Sequence, residues 1–431
     1  MNILIIGSGG REHALAWKAV RSPLAERVFV APGNAGTARE AGVENIAIDA
    51  LDINGLLQFA RENKVGLTIV GPEAPLVAGV VDAFHAAGLR CFGPTRAGAQ
   101  LEGSKAYAKD FLAHHHIPTA AYAVFSDSAE AKAWIRKQGT PLVVKADGLA
   151  AGKGVIIAHE EHEALAAVED MLEGNAFGDA GHRVVIEQFL AGEEASFIVI
   201  SDGVNVLPMA SSQDHKARDD GDTGPNTGGM GAYSPAPVID AAMHERVMRE
   251  VIMPTVRGMA DDGIPYIGFL YAGLMIGSDG VPRVLEFNCR FGDPETQPIM
   301  MRLRSDLIEL CLAATEGKLD RQKADWDPRR ALGVVLAAGG YPGEYAKGDV
   351  ITGLNEAAAI ADTKVFHAGT ATRGDDVITA GGRVLCVCGL GDTVSSAQRK
   401  AYEAASHIRF PGVHYRRDIG YRAIAREEKQ G

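Results

Sequence analysis

Three polar side chains recur at alternate positions in RVLEFNCRFGDPETQP, Arg283 to Pro298: Glu286, Asn288 and Arg290. Alternate residues of a strand share a face, so with Val284 these groups project together, and Leu285, Phe287 and Cys289 project the other way. Burying a carboxylate, an amide and a guanidinium unpaired is expensive. The two oxygen donors suit a hard cation such as Mg²⁺ shared with phosphates. The guanidinium suits a phosphoryl oxygen or a substrate carboxylate. A wet strand face with a surface ion pair is the plainer reading. The polar, proline-locked GDPETQP that follows directly argues against it.

A second stretch, VVKADGLAAGKGVII, Val143 to Ile157, sets glycines and a lysine between two β-branched runs. It is not the common phosphate loop G-x-x-x-x-G-K-[ST]: three residues separate Gly148 from Gly152, and Gly154 stands where Ser or Thr would be. Lys145 ends the first run and faces the loop. Another lysine, Lys105, opens the helix KAYAKDFLAHHH, which Ser104 can cap and Pro118 closes. A cation in a first helical turn opposes the helix dipole, so Lys105 either bends into water or meets an anion. His114, His115 and His116 resemble a metal tract but read as a solvated, partly capping run at the helix end. The aperiodic stretch SSQDHKARDDGDTGPNTGGMGAYSP carries Asp214, His215 and Lys216, and a loop of such length is usually functional or disordered.

These residues need elements to hold them. Up to about residue 103, apolar strands (NILIIG, RVFVAP, GLTIVG, LRCFG) alternate with helical stretches (REHALAWKAV, INGLLQFARENK, LVAGVVDAFHAAG). That alternation implies a parallel sheet covered on both faces. Gly7, Gly9 and Gly10 give G-x-G-G, but Glu12 stands at the third glycine position of a dinucleotide fingerprint. Either this is a tight turn into a helix, or N–H groups near Ser8 to Gly10 hold a phosphate. From about 119 to 200 the pattern is strand-rich. PLVVKADG and GVIIAH read as a hairpin around the glycine loop, and HRVVIEQFL and EASFIVIS as a second strand pair around AGEE. From about 201 to 325 the polar stretch precedes a helix and the strands YIGFLYAGLMIG and RVLEFNCRF. From about 326 to 431 come three strands, a helix and a basic tail.

Composition narrows the function classes. With 431 residues and 46% apolar content the chain can bury several cores. A formal charge of −12 disfavours nucleic acid. Five widely spaced cysteines argue for a reducing compartment, and Cys386 and Cys388, with no second pair to complete a metal site, read as core. The start MNILIIG lacks signal-peptide character and no apolar run spans a bilayer, so a cytoplasmic protein without membrane contact is expected.

Two lysines, a glycine hairpin and a cation-binding strand, in this order, resemble the ATP-grasp superfamily. GSGGREHALAWK, APGNAGT, IVGPEAPLVAG, LEGSKAYAKDFL, KADGLAAGKGV, SSQDHK, DTGPNTGGMGAYSP and EFNCRFGDPETQ together resemble its phosphoribosylamine–glycine ligase family over almost the entire chain. The resemblance implies a mixed α/β and α+β architecture. Residues 1–103 would form an N-terminal, Rossmann-like substrate-binding domain. Residues 104–325 would form the ATP-grasp domain, with a small lid lobe at about 119–192, and 326–431 a β-rich α+β domain. It implies that ATP, glycine and 5-phosphoribosylamine give glycinamide ribonucleotide, ADP and phosphate through glycyl phosphate, with Mg²⁺ or Mn²⁺. A monomer is compatible with it.

Carried over by position, Lys105 and Lys145 hold ATP phosphates, and Gly148, Gly152, Lys153 and Gly154 belong to the lid. Backbone groups of Glu187, Gln188, Phe189 and Leu190 read adenine, and Glu194 holds the ribose. Glu286 and Asn288 bind metal, and Arg290 stabilises the acyl phosphate. Asp214 and Lys216 meet the amino acid, while Ser8, Gly9, Gly10 and Glu73 face phosphoribosylamine. One departure is that GFLYAGLMI, the preceding strand, has no carboxylate, so fewer protein ligands are expected around the metals. The rivals are a bicarbonate-using ATP-grasp carboxylase, an NAD-dependent oxidoreductase and a non-catalytic nucleotide sensor. Glu12 in the fingerprint counts against the second, and the full set of polar site residues against the third.

Overall fold

A computed structural model describes residues 1–149, 154–174 and 182–430. The first strand, Asn2–Gly7, is apolar, and all of it after Asn2 is buried. It lies between Arg27–Pro32 and Val65–Val70, and Val43–Asn45 and Cys91–Phe92 complete a five-stranded parallel sheet. Helices on both faces explain the unbroken apolar runs. The stretch LVAGVVDAFHAAG, expected as one helix, belongs to two, Glu73–Ala78 and Val80–Ala86. Gly79 between them has φ +93°, a left-handed conformation that ends one helix before the next begins.

The strands flanking the glycine loop, Leu142–Ala146 and Val155–Ala158, pair antiparallel as expected. With Val184–Gln188 and Tyr122–Phe125 they form a four-stranded lobe, and helices Ser128–Gln138 and Glu161–Leu172 share its small core. The second strand pair expected around AGEE does not form. Val184–Gln188 lies between Tyr122–Phe125 and Leu142–Ala146, whereas Glu193–Asp202 pairs with Ile267–Ile276 along ten residues in another sheet. Both strands already have neighbours that satisfy their backbones, so the intervening segment is a crossover between lobes. Gly192 there is pressed onto the second sheet, where a Cβ would fall 2.3 Å from the Ile276 carbonyl oxygen.

That second sheet has the order Val206–Pro208, Glu193–Asp202, Ile267–Ile276, Pro282–Asn288. A bulge at Leu285 interrupts the last pairing: Val284 opposes Leu274 and Glu286 opposes Gly273. The simple alternation expected for Val284, Glu286 and Asn288 is therefore broken once, because a bulge inserts an unpaired residue.

A third sheet orders Gln213–Asp214, Gly231–Ser234, Arg330–Ala337, Arg383–Gly391 and Thr363–His367. Its first two strands come from the polar stretch expected to lack regular structure, which also holds the hairpin Ala217–Asp219 and Thr223–Asn226. The basic tail fixes this stretch. Arg416, fully buried, reaches Asp222 and Asp418 at 2.8 Å each, and the chain then enters helix Tyr421–Gln430. Cys386 and Cys388 are core residues, as expected: their sulfurs are 3.7 Å apart and pack against Gly333.

Candidate active site

A cleft of about 630 Å³ opens where the glycine-loop lobe, the second sheet and the third sheet meet. Its walls carry most of the residues singled out from the sequence. Helix Lys105–His114 starts here. Ser104 caps it, accepting the Tyr107 N–H at 3.1 Å, as expected. The Ser104 hydroxyl also donates to Asp147 at 3.0 Å, and the Ala106 N–H donates to the same carboxylate at 3.1 Å. The anion at this helix N-terminus is thus Asp147, from the start of the glycine loop, which Arg183 also meets at 2.6 Å. Lys105 bends across instead, donating to the Gly148 carbonyl at 2.8 Å. Burial pushes its pKa down, and Lys145 nearby adds to that against Glu286. Gly152 and Lys153 lie outside the described residues.

Lys145 Nζ sits 2.8 Å from Glu187 Oε1 and donates to the Leu285 carbonyl, the bulged residue, at 3.1 Å. Lys109 reaches the other Glu187 oxygen at 2.8 Å. Glu187 is 2% exposed; burial would raise its carboxyl, but Lys145 and Lys109 hold it below the usual range. The side chain of Glu187 is thus a clamp for two lysines, while Gln188, Phe189 and Leu190 continue along the cleft wall. Burial pushes Lys109 down to about 8 despite Glu187.

Lys216 bridges two acids, at 2.5 Å from Glu194 and 3.3 Å from Glu286. It holds Glu286 at about 2, with help from Lys145 and Lys105 against burial. Those acids in turn raise Lys216 despite its burial. Glu286 therefore stays ionised at neutral pH. With the Asn288 amide oxygen it offers two hard donors that fit Mg²⁺ or Mn²⁺. Gly273 opposite leaves space, since a Cβ there would sit 3.3 Å from Glu286 Cγ. Asp214, on the edge strand of the third sheet, is half-buried beside the same group of acids. Burial raises its carboxyl well above the usual range, with Glu295 adding to the effect and Lys216 opposing it. Burial also raises Glu295, which accepts from Ser196 at 3.0 Å.

Arg290 is held by oxygens on several sides: Glu102 at 2.7 Å, Glu73 at 3.1 Å and Asn288 at 3.3 Å. Burial would raise Glu73, but Arg290 and Arg11 hold it at about 2. The turn Ser8 to Gly10 lies beside this group, not in the cleft wall. The Gly9 N–H already donates to Glu12 at 2.5 Å, and a Cβ on Gly9 would stand 3.3 Å from Asp293. Asn34 fixes the turn: its Nδ2 donates to the carbonyls of Ser8 and of His367, 2.8 Å each.

Several site residues escaped the sequence reading. Lys109 falls one helical turn after Lys105, a spacing that could have pointed to it. Asp293 and Glu295 lie in GDPETQP, already marked as polar, and Glu102 in LEGSKAYAKDFL, yet only tertiary packing separates them from ordinary surface acids. Arg383 had no local signal. It enters from the core of the third sheet, donating to the Asp293 carbonyl at 2.6 Å and to the Gly228 carbonyl.

The chain matches three family models in order: the N domain of phosphoribosylglycinamide synthetase over residues 1–102, its ATP-grasp (A) domain over 103–296 and its C domain over 331–422. It is 67% identical over 427 residues to a phosphoribosylamine–glycine ligase of Yersinia pestis, covering 99% of this chain and 100% of that one. A ligase of the same name from Pseudomonas aeruginosa is also 67% identical, with 99% of each chain covered. The crystal structure of phosphoribosylamine–glycine ligase from Thermotoga maritima superposes with a TM-score of 0.84 at 35% identity, over 97% of this chain and 100% of that one. A biotin carboxylase from Campylobacter jejuni shares the fold, with a TM-score of 0.73 at 15% identity, over 96% and 92% of the two chains. The chain belongs to the phosphoribosylglycinamide synthetase family, and its ATP-grasp domain carries the cleft described above.

Proposed function

We propose that the chain joins glycine to 5-phosphoribosylamine at the expense of ATP, yielding glycinamide ribonucleotide, ADP and phosphate in purine synthesis. The observation that carries this reading is convergence: Lys105, Lys145, Glu286, Asn288 and Arg290, from separate elements, line one cleft. Lys105 and Lys145 hold the triphosphate beneath the glycine lid, and the crossover from Glu187 to Leu190 borders the adenine. Glu194 takes the ribose, and Lys216, released from it, turns toward the reacting carboxylate. Mg²⁺ or Mn²⁺ on Glu286 and Asn288 would supply positive charge to the phosphates.

A glycine carboxylate oxygen attacks the terminal phosphorus, the bond to ADP breaks, and glycyl phosphate forms. The amine of 5-phosphoribosylamine then attacks the acyl carbon, and the carbon–oxygen bond to phosphate breaks. Positioning and charge neutralisation suffice for such a transfer. Arg290 stabilises the acyl phosphate. Asp214, half-buried among other acids, suits the glycine ammonium, a cation that would restore its ionised form. Glu73 and the Ser8 to Gly10 turn serve the phosphoribosylamine side.

The division into residues 1–103, 104–325 and 326–431 follows these tasks, although strands from the middle segment complete the third sheet. One chain carries every residue named, which supports action as a monomer. Five free, buried cysteines support a cytoplasmic location, and among the described residues no helix is long and apolar enough to cross a membrane. ADP release that requires both glycine and 5-phosphoribosylamine tests the proposal. Release with bicarbonate in place of glycine overturns it.

A further inference from the structure

Outside the residues that line the cleft, two helices end at one point. Helix Lys105–His114 finishes with His115 as its C-cap, and helix Met253–Asp261 finishes with Asp262 as its C-cap. Each helix C-terminus carries a partial negative charge and favours a cation. At their meeting His115 Nε2 stands 3.1 Å from Asp262 Oδ2. A donor nitrogen of His114 completes a group whose ligand atoms all lie within 4.8 Å of one another. The His115 ring is fixed in place. It packs against the Phe111 ring, tilted by 48° with centroids 4.5 Å apart, and fills space over Gly258, where a Cβ would fall 2.7 Å from its Cγ.

We propose that His114, His115 and Asp262 bind a late first-row divalent cation, with Zn²⁺ as its biological form. Two imidazoles and a carboxylate select this class over Mg²⁺, which prefers oxygen alone. Neighbouring ligand atoms around a tetrahedral Zn²⁺ lie about 3.3 Å apart, given bonds of about 2.0–2.1 Å. The His115–Asp262 pair already has that spacing. The exposed His114 side chain closes the remaining gap by rotation, and water fills the open position. The ion clips the far end of the Lys105 helix to its neighbour. This site shares no residue with the ligase cleft and does not depend on the reading given for it.

The test uses the full chain stripped with EDTA and titrated with ZnCl₂ by calorimetry at about pH 7.5, where free imidazole is mostly neutral. One saturable equivalent that millimolar Mg²⁺ does not displace is expected, together with a rise in melting temperature. His114→Ala and Asp262→Asn each change an exposed ligand and leave ligase turnover intact. Each should weaken Zn²⁺ at least about tenfold, the scale seen when metal-site partners are lost, and abolish the thermal shift. His115→Ala should do the same. Failure to bind a saturable equivalent, or an equivalent unchanged in His114→Ala and Asp262→Asn, overturns the assignment.

Discussion

Glu102 holds Arg290 by the guanidinium, 2.7 Å from Oε1 to Nη2, while its Oε2 accepts the N–H of Cys289 at 2.8 Å and the thiol at 3.1 Å. The same residue lies just before Ser104 and Lys105, where the lysine helix begins. One buried carboxylate therefore ties the start of that helix to the end of strand Pro282–Asn288. It sets the guanidinium relative to the donors on both.

Removing the Glu102 charge while keeping its shape should loosen Arg290 without touching the lysines. Glu102→Gln is expected to lower kcat by up to about 100-fold, the cost of misplacing a positioned group by about 1 Å. KM for ATP should change little. Steady-state ADP release resolves the split. Glu102→Ala should also lose about 1–3 kcal/mol of stability, since the Cys289 N–H loses its acceptor while Arg290 keeps Glu73. Wild-type kcat in Glu102→Gln would sink the positioning role.

Glu286 is ionised because Lys216, Lys145 and Lys105 surround it, and that charge makes it a cation ligand. Glu286→Ala should abolish turnover. Glu286→Gln should retain the fold but need at least about tenfold more Mg²⁺ for half-maximal rate, on the scale of a lost metal-site partner. A Mg²⁺ titration of the two variants distinguishes the roles. An unchanged requirement in Glu286→Gln would remove Glu286 from the metal site.

How much of this could be read in advance follows the range of the interactions. The hairpin around Gly148 to Gly154, the Ser104 cap and the parallel N-terminal sheet are set by neighbours in sequence, and they formed as expected. The polar spacing in EFNCR marked Glu286, Asn288 and Arg290 because three such groups on a strand require partners. Glu102, which partners Arg290, comes from an element whose local pattern is ordinary, as do Lys109, which holds Glu187, and Arg383, which holds the Asp293 carbonyl. The AGEE segment misled for a related reason. Two adjacent apolar strands read as a hairpin unless one knows that each already has better neighbours in a different sheet.

Asn34 stands at the joint between the Ser8 to Gly10 turn and the third sheet. Its Nδ2 holds the Ser8 and His367 carbonyls, and its Oδ1 accepts the N–H groups of Gly36 and Thr37 at 2.8 and 3.0 Å. If that turn serves 5-phosphoribosylamine, Asn34→Ala should raise KM for this substrate about tenfold, the equivalent of ~1.4 kcal/mol. KM for ATP and glycine should hold. Equal rises for all three substrates would assign Asn34 to general stability.

The same joint should set the acid limit of stability. Glu40 lies 2.6 Å from Lys364 and 3.3 Å from His13, linking the first domain to strand Thr363–His367. Burial would raise the Glu40 carboxyl, but His13 and Lys364 take it from the ordinary 4.5 to about 2. Burial lowers His13 from 6.5, and lowers His367 to about 3. All three groups bind protons more tightly in the unfolded chain, so each contributes stability that acid removes. The histidine contribution is complete above about pH 6.5 and fades below it. The Glu40 contribution is complete above about pH 4.5 and is lost toward pH 2; the full shift is worth at most ~3 kcal/mol. Urea unfolding of wild type and Glu40→Gln at a series of pH values separates the two. The stability gap between them should stay constant down to about pH 4.5 and then close. A gap that instead persists unchanged to pH 3 would place the acid-sensitive contact elsewhere. Substituting His13→Gln should flatten the upper part of the curve, because Gln does not titrate, and should also shrink the lower part, because one of the groups that depress Glu40 is gone.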